Sequence, residues 1–228
     1  MIEKVSWSEF LNRFRWEQSE HIGLIAPSGA GKTTIIDQIK DKREWNIIFG
    51  TKPKDSLYSK FIRDGYRRVE SINEVKSYDK KILLWPKYGN RPIPEIMKTQ
   101  RDAFREALDK IVHQGGWTLW IDEAKYCSQN LRLSTEINFC VNQLRSNEQS
   151  VICGAQRPAW IPPDVLANAT HVFLWKSNNR DDQIKLADIG GIDSKLVRDE
   201  AKSLGDHEFI YIKTRGTNSQ MVISQAKL

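Results

Sequence analysis

The chain has 228 residues, a formal net charge of +6 and 39% hydrophobic residues. That length suits a single α/β domain with its own core, and the modest basic balance leans towards a polyanionic partner without identifying one. Cys127, Cys140 and Cys153 form no Cys-x-x-Cys pair, and His21, His113, His171 and His207 stand apart from them, which argues against a zinc framework or a disulfide scaffold. No apolar run approaches the ~18 residues that span a bilayer, and the N-terminus has no signal-peptide apolar region, so a cytoplasmic protein without membrane insertion is expected.

In chain order, Ser6-Trp7-Ser8-Glu9 has the outline of a capping box, opening a short helix to about Trp16 with Phe10, Leu11 and Phe14 on its apolar side. His21 to Ile25 reads as a strand that runs into Ala26-Pro27-Ser28-Gly29-Ala30-Gly31-Lys32-Thr33-Thr34, and an amphipathic helix follows to Lys40. Strand, glycine-rich loop, Gly-Lys-Thr and helix together cradle a nucleoside triphosphate. Small residues let backbone N–H groups curl around the β-phosphate, ahead of the positive end of the helix. Pro27, Ser28, Gly29, Ala30, Gly31, Lys32, Thr33 and Thr34 are therefore the candidate nucleotide-binding residues. Lys32 suits the β- and γ-phosphates, and the Thr33 hydroxyl suits one Mg²⁺ position. Ala26 stands where the first glycine is usual.

Trp45 to Phe49 reads as the next strand, and a basic segment from Thr51 to Arg68 follows it. There Lys52, Lys54, Arg63, Arg67 and Arg68, interleaved with Tyr58, Phe61 and Tyr66, are candidate DNA contacts able to neutralise phosphates without reading sequence. A solvated surface insertion explains the same composition. Lys87 to Pro92 is a weaker candidate. Lys81 to Trp85 is a further strand, and Pro94 to His113 a long helix with apolar contacts at Ile96, Met97, Phe104, Leu108, Ile111 and Val112.

Trp117 to Ile121 is a strand ending in Asp122-Glu123, the pattern of a Walker B motif. Asp122 is placed to hold Mg²⁺ through its water shell. Glu123 adds a second carboxylate that metal binding does not need, placed to polarise an attacking water. A helix over 134–146 and a strand over 150–155 lead to Gln156, whose amide offers a donor and an acceptor between a γ-phosphate and the lytic water. A glutamine capping the turn before Pro158 is the plainer alternative. A short helix (162–169), a strand (171–175), helical patterns over 181–188 and 193–204, and a hairpin about Gly216 close the chain. Strands alternating with helices predict a mainly parallel α/β sheet covered on both faces, in one domain: an N-terminal helix (1–20), a nucleotide-binding core (21–175) and a C-terminal helical segment and hairpin (176–228). Trp85, Trp117, Trp120 and Trp175 fall in or beside strands and read as core, whereas Trp160 is left open.

The set Ala-Pro-Ser-Gly-Ala-Gly-Lys-Thr, Leu-Trp-Ile-Asp-Glu-Ala and Ile-Cys-Gly-Ala-Gln-Arg-Pro resembles the FtsK/HerA branch of P-loop ATPases, over about Ile22 to Trp175. The resemblance implies a P-loop fold of the additional-strand, catalytic-glutamate type, with the Gln156 strand between the Walker A and Walker B strands. It also implies ATP with Mg²⁺, a homo-oligomeric ring, and an arginine from one subunit completing its neighbour's site. Arg145 matches that slot best, with Arg132 and Arg157 as rivals. The chain departs from the chromosome translocases in lacking membrane spans and a winged-helix module, which brings it closest in organisation to compact viral genome-packaging ATPases. Double-stranded DNA and a viral portal or capsid component are the partners so implied, with the host cytoplasm as location. An ATPase powering protein export or filamentous-phage assembly, and a nucleotide-switched adaptor, remain open alternatives.

Overall fold

Three strands rich in Ile, Leu and Val, β2 (His21–Ile25), β6 (Thr118–Ile121) and β7 (Ser150–Ala155), are buried along their whole length, as strands covered on both faces must be. The computed structural model describes residues 2–177, 182, 193–215 and 220–227. The described strands form one ten-stranded sheet. Its other members are β1 (Glu3–Lys4), β3 (Asn46–Phe49), β4 (Arg67–Val69), β5 (Lys81–Leu84), β8 (Ala169–Trp175), β9 (Glu208–Lys213) and β10 (Gln220–Gln225). Across the sheet the order is β1-β10-β9-β8-β2-β7-β6-β3-β5-β4. Neighbours run parallel except at β8–β9 and β9–β10. The mainly parallel α/β architecture is the one expected, and the Gln156 strand, β7, lies between β2 and β6.

Strand alternation divides the core into two layers. Ile47 and Phe49 point to one face, where Phe49 stacks on Phe104 of α4 (Ile93–Val112) with ring centroids 4.3 Å apart. Ile137 of α5 (Ser134–Gln143), Val165 of α6 (Pro163–Asn168) and Val197 of α7 (Ser194–Ser203) complete that layer. Ile48 points to the other face, against α1 (Trp7–Arg13), α2 (Lys32–Ile39) and α3 (Ser56–Arg63). There Phe10 and Phe14 meet Phe173 and Tyr211 edge-on, a favoured ring geometry.

Several elements differ from the sequence reading. α1 ends at Arg13, and only the Ser6 half of its capping box forms, because the Glu9 carboxylate pairs with Arg13 at 2.5 Å instead. The basic segment after β3 is an integral part of the fold. Asp55 caps α3 by accepting the Leu57 N–H, β4 pairs with β5, and Tyr58, Phe61 and Tyr66 are buried, so these rings pack in the core and offer no stacking surface. The helix expected over 134–146 gives way after Gln143 to a 3₁₀ turn over Leu144–Asn147. Trp117, Trp120 and Trp175 are buried as expected, whereas Trp85 is only half-buried, and Trp160 is partly exposed with the Lys125 ammonium 4.4 Å from its ring centroid. The helical pattern over 181–188 lies outside the described residues apart from Asp182, as does the turn about Gly216 between the paired strands β9 and β10. Among the described residues no helix is long and apolar enough to cross a membrane.

Candidate active site

Because β2, β7 and β6 are adjacent and parallel, their C-terminal ends deliver the phosphate loop, Gln156 and Asp122-Glu123 to one edge of the sheet. Such an edge is where α/β sheets bind ligands. A cavity of about 430 Å³ opens there, lined by Ala26 to Gly29, Gly31 to Thr34, Lys52, Asp122, Glu123 and Gln156. Ala30 faces a neighbouring cavity of about 250 Å³, which it shares with Pro27, Ser28 and Gly29 on the Trp175 side. The loop turns through two glycines at positive φ, Gly29 (+77°) and Gly31 (+107°), where a side chain would be strained. Gly31 also caps α2, so the free N–H groups of the first helical turn face the cavity end.

The two lysines of the cavity both rest on its acids. Lys32 Nζ lies 2.7 Å from Asp122 Oδ1 and donates to the Asp122 carbonyl at 3.4 Å. Asp122 is nearly buried, yet its Oδ1 has no hydrogen-bond partner of suitable geometry. A nearly buried carboxylate whose near partners are lysine ammonium groups, in a cavity that also holds the Thr33 hydroxyl, supplies the oxygen donors that a hard divalent cation takes. Among the described residues no group of three His, Cys, Asp or Glu is assembled to hold a metal by itself, so such an ion would share its ligation with bound phosphates.

Lys52 departs from its expected place among the DNA contacts. It leaves the end of β3, the strand beside β6, and its Nζ lies 3.1 Å from Asp55, 3.2 Å from Glu123 and 3.7 Å from Asp122. Burial opposes its charge, but Asp122, Asp55 and Glu123 outweigh burial and hold the ammonium above the usual lysine range. The sequence signal is positional: Asp122 directly follows an apolar strand, and Lys52 follows another after only Gly50 and Thr51. Of the remaining basic candidates, Lys54 and Arg63 are exposed, Arg67 pairs with Asp79, and the Arg68 guanidinium lies 4.3 Å from the Trp85 ring centroid.

The three arginines are dispersed. Arg145 does not lie at the rim of the cavity. It precedes β7, with its carbonyl accepting from Ser19 Oγ at 2.8 Å, whereas Gln156 follows that strand. The length of β7, roughly 17–20 Å at the rise of a parallel strand, therefore separates the two. A strand carries its two ends to opposite edges of the sheet, which the linear spacing from Arg145 to Gln156 conceals. Arg157 follows Gln156 and pairs with Asp182 at 3.1 Å. Arg132 is exposed, with a left-handed backbone (φ +56°), on the segment that joins β6 to α5.

No protein-family model matches the chain. It is 27% identical over 146 residues to an Acanthamoeba polyphaga mimivirus protein carrying the provisional name serine/threonine-protein kinase R679, and it spans only 19% of that protein's length. Among solved structures it resembles the genome packaging NTPase B204 of Sulfolobus turreted icosahedral virus 2 in complex with sulfate. The TM-score is 0.68 at 17% identity, covering 93% of this chain and 99% of that one. The complex of the same protein with ATP-gammaS gives 0.64 at 18% identity, covering 89% and 95%. The cytoplasmic domain of the Thermomonospora curvata Type VII secretion ATPase EccC gives 0.58 at 11% identity, covering 92% of this chain and 25% of that one. The chain therefore shares the fold of the packaging NTPase B204 over nearly its whole length and, with lower similarity, that of the EccC cytoplasmic domain.

Proposed function

We propose that this protein is a Mg²⁺-dependent ATPase that moves double-stranded DNA as a homo-oligomeric ring, in the manner of a viral genome-packaging motor. The observation that carries the reading is the convergence of Lys32, Asp122, Glu123 and Gln156 on one cavity at the ends of three adjacent strands. Its similarity to a protein described as a genome packaging NTPase, matched over nearly the whole of both chains, supports the biological setting.

In this reading the backbone of residues 28–33 holds the phosphates, and Lys32 leaves Asp122 for the β- and γ-phosphates. Thr33 and Asp122 would hold Mg²⁺, which when bound supplies charge neutralisation at the phosphate oxygens. Glu123 orients and polarises the attacking water. The Gln156 amide donates to the γ-phosphate and accepts from that water. An arginine of the neighbouring subunit stabilises the charge that builds on the transferred group. The kinase name of the mimivirus relative does not carry over, because Glu123 and Gln156 suit water as acceptor.

The deciding assay is phosphate release from ATP with and without double-stranded DNA. Strong stimulation by DNA supports the motor. Turnover unaffected by DNA would favour an export ATPase or a nucleotide-switched adaptor, and transfer to an acceptor without free phosphate would restore the kinase reading.

A further inference from the structure

Lys52 is held by more than its carboxylate partners. The preceding Thr51 N–H donates to Tyr58 Oη at 3.0 Å, and the Thr51 carbonyl accepts from Tyr88 Oη and Gln100 Nε2. The Lys52 carbonyl accepts from Trp85 Nε1 at 2.8 Å. Trp85 is itself seated closely: a Cβ on Gly50 would lie 2.8 Å from three atoms of its side chain, so only glycine admits it. On the solvent side the same ring carries the exposed Arg68 guanidinium. A path thus runs from a surface cation, through an indole and one hydrogen bond, to the backbone of the residue whose ammonium lies 3.2 Å from Glu123.

The chemistry at the Glu123 end of that path is specific. An ammonium 3.2 Å from Glu123 Oε1 competes with the lytic water for that oxygen and biases the orientation of the carboxylate. Lys52 is also committed to Asp55 on its own segment, so the pair moves with the backbone that Trp85 pins. Lys32 contacts Asp122 at 2.7 Å, the residue that bound Mg²⁺ would claim, whereas Lys52 reaches Asp122 only at 3.7 Å and has Asp55 and Glu123 as nearer partners. Nucleotide binding alone therefore frees Asp122 from Lys32 and leaves Glu123 with Lys52.

We propose that Lys52 is a positioning residue that keeps Glu123 from the lytic water, and that a phosphodiester backbone engaging Arg68 loosens this hold through Trp85. The proposal rests on the ATPase reading above and assigns the regulation of that site. It gives the basic segment a purpose in catalysis as well as in binding.

The test combines phosphate release, with and without duplex DNA, and equilibrium binding of a fluorescent mant-ATP probe with Mg²⁺. Lys52→Gln is expected to raise basal turnover by about threefold to fivefold, the range a part-exposed ion pair supports. Its mant-ATP affinity should stay within about twofold of wild type, because Lys52 is spent on carboxylates rather than phosphates. Lys52→Arg should restore low basal turnover. Trp85→Phe keeps a ring beneath Arg68 but deletes the bond to the Lys52 carbonyl, and should lose most DNA stimulation. Lys52→Gln turnover at or below wild type, or mant-ATP binding weakened by about tenfold, would overturn the proposal and make Lys52 a phosphate ligand or a bystander. Full DNA stimulation in Trp85→Phe would remove the path to the surface. If wild type hydrolyses ATP but ignores DNA, the motor reading fails, and basal turnover of Lys52→Gln still decides whether Lys52 holds Glu123. Should Lys52→Gln not fold, the Lys52→Arg and Trp85→Phe arms carry the decision.

Discussion

A Cβ on Gly154 would lie 2.9 Å from the carbonyl oxygen of Asp122 and 3.0 Å from its Oδ1. Glycine at this point of β7 is what lets the acid of the neighbouring strand sit where it does. Both close atoms belong to a buried residue, so neither can swing aside cheaply. Gly154→Ala should therefore displace the Asp122 carboxylate and weaken Mg²⁺-dependent nucleotide binding by about tenfold or more, as changes beside a metal ligand do. Titration of mant-ATP with and without Mg²⁺ checks this, and an unchanged Mg²⁺ dependence would show that Asp122 is not the metal ligand.

Glu123→Gln preserves shape and removes the carboxylate. Nucleotide affinity should survive while turnover falls by about 10²–10⁴-fold. Lys32→Ala should instead lose phosphate affinity. Wild-type turnover in Glu123→Gln would be fatal to the role given to Glu123.

The arginine supplied in trans is typically worth about 10³-fold or more in turnover. Since Arg145 lies at the far edge of the sheet from the cavity, Arg132 and Arg157 become the first variants to test. Arg132→Ala and Glu123→Gln subunits should each be inactive alone and regain activity when mixed, because an intact site then meets an intact arginine at some interfaces. Recovery only with Arg157→Ala would identify that residue. Recovery only with Arg145→Ala would mean that the neighbouring cavity faces the opposite edge of this subunit.

Neutralising Lys54, Arg63, Arg67 and Arg68 together should weaken DNA binding uniformly across sequences. Each phosphate that these substitutions leave without its cation lowers the slope of log affinity against log salt by roughly 0.9. The salt dependence of DNA binding measured by anisotropy provides the check, and an unchanged slope would leave these residues as solvated surface.

His21 starts β2 with both ring nitrogens engaged: Val151 N–H donates to Nδ1 at 3.0 Å, and Nε2 faces the Val141 carbonyl at 3.1 Å. Nδ1 accepts, so Nε2 carries the proton of a neutral ring. Burial, with a smaller push from Arg145, lowers its pKa from 6.5 to about 4, against the raising effect of the Val141 bond. The unfolded chain therefore binds the extra proton first. This contribution to stability is complete above about pH 6.5 and is lost as pH falls towards about 4, on the order of 3 kcal/mol in total. Melting temperatures from pH 7 to pH 4.5 should fall, and the slope should be shallower in His21→Gln. An equal slope in that variant would place the acid sensitivity elsewhere.

The glycine-rich loop, the acidic strand end and the polar tip at Gln156 are legible in the linear chain, because each is a local pattern in which strand, turn and helix signals meet within a few residues. The alternation of apolar segments likewise specifies a parallel α/β sheet. It does not reveal α3 and β4, because Lys and Arg interrupt their apolar spacing while Leu57, Tyr58 and Phe61 still form a buried face. Nor does it reveal where Lys52 and Arg145 belong. Those two placements depend on strand order and direction: β3 beside β6 brings Lys52 to the acids, and the full length of β7 carries Arg145 away from them. Charge and spacing along a chain say which residues can hold a phosphate, but only the pairing of distant strands decides which of them meet it.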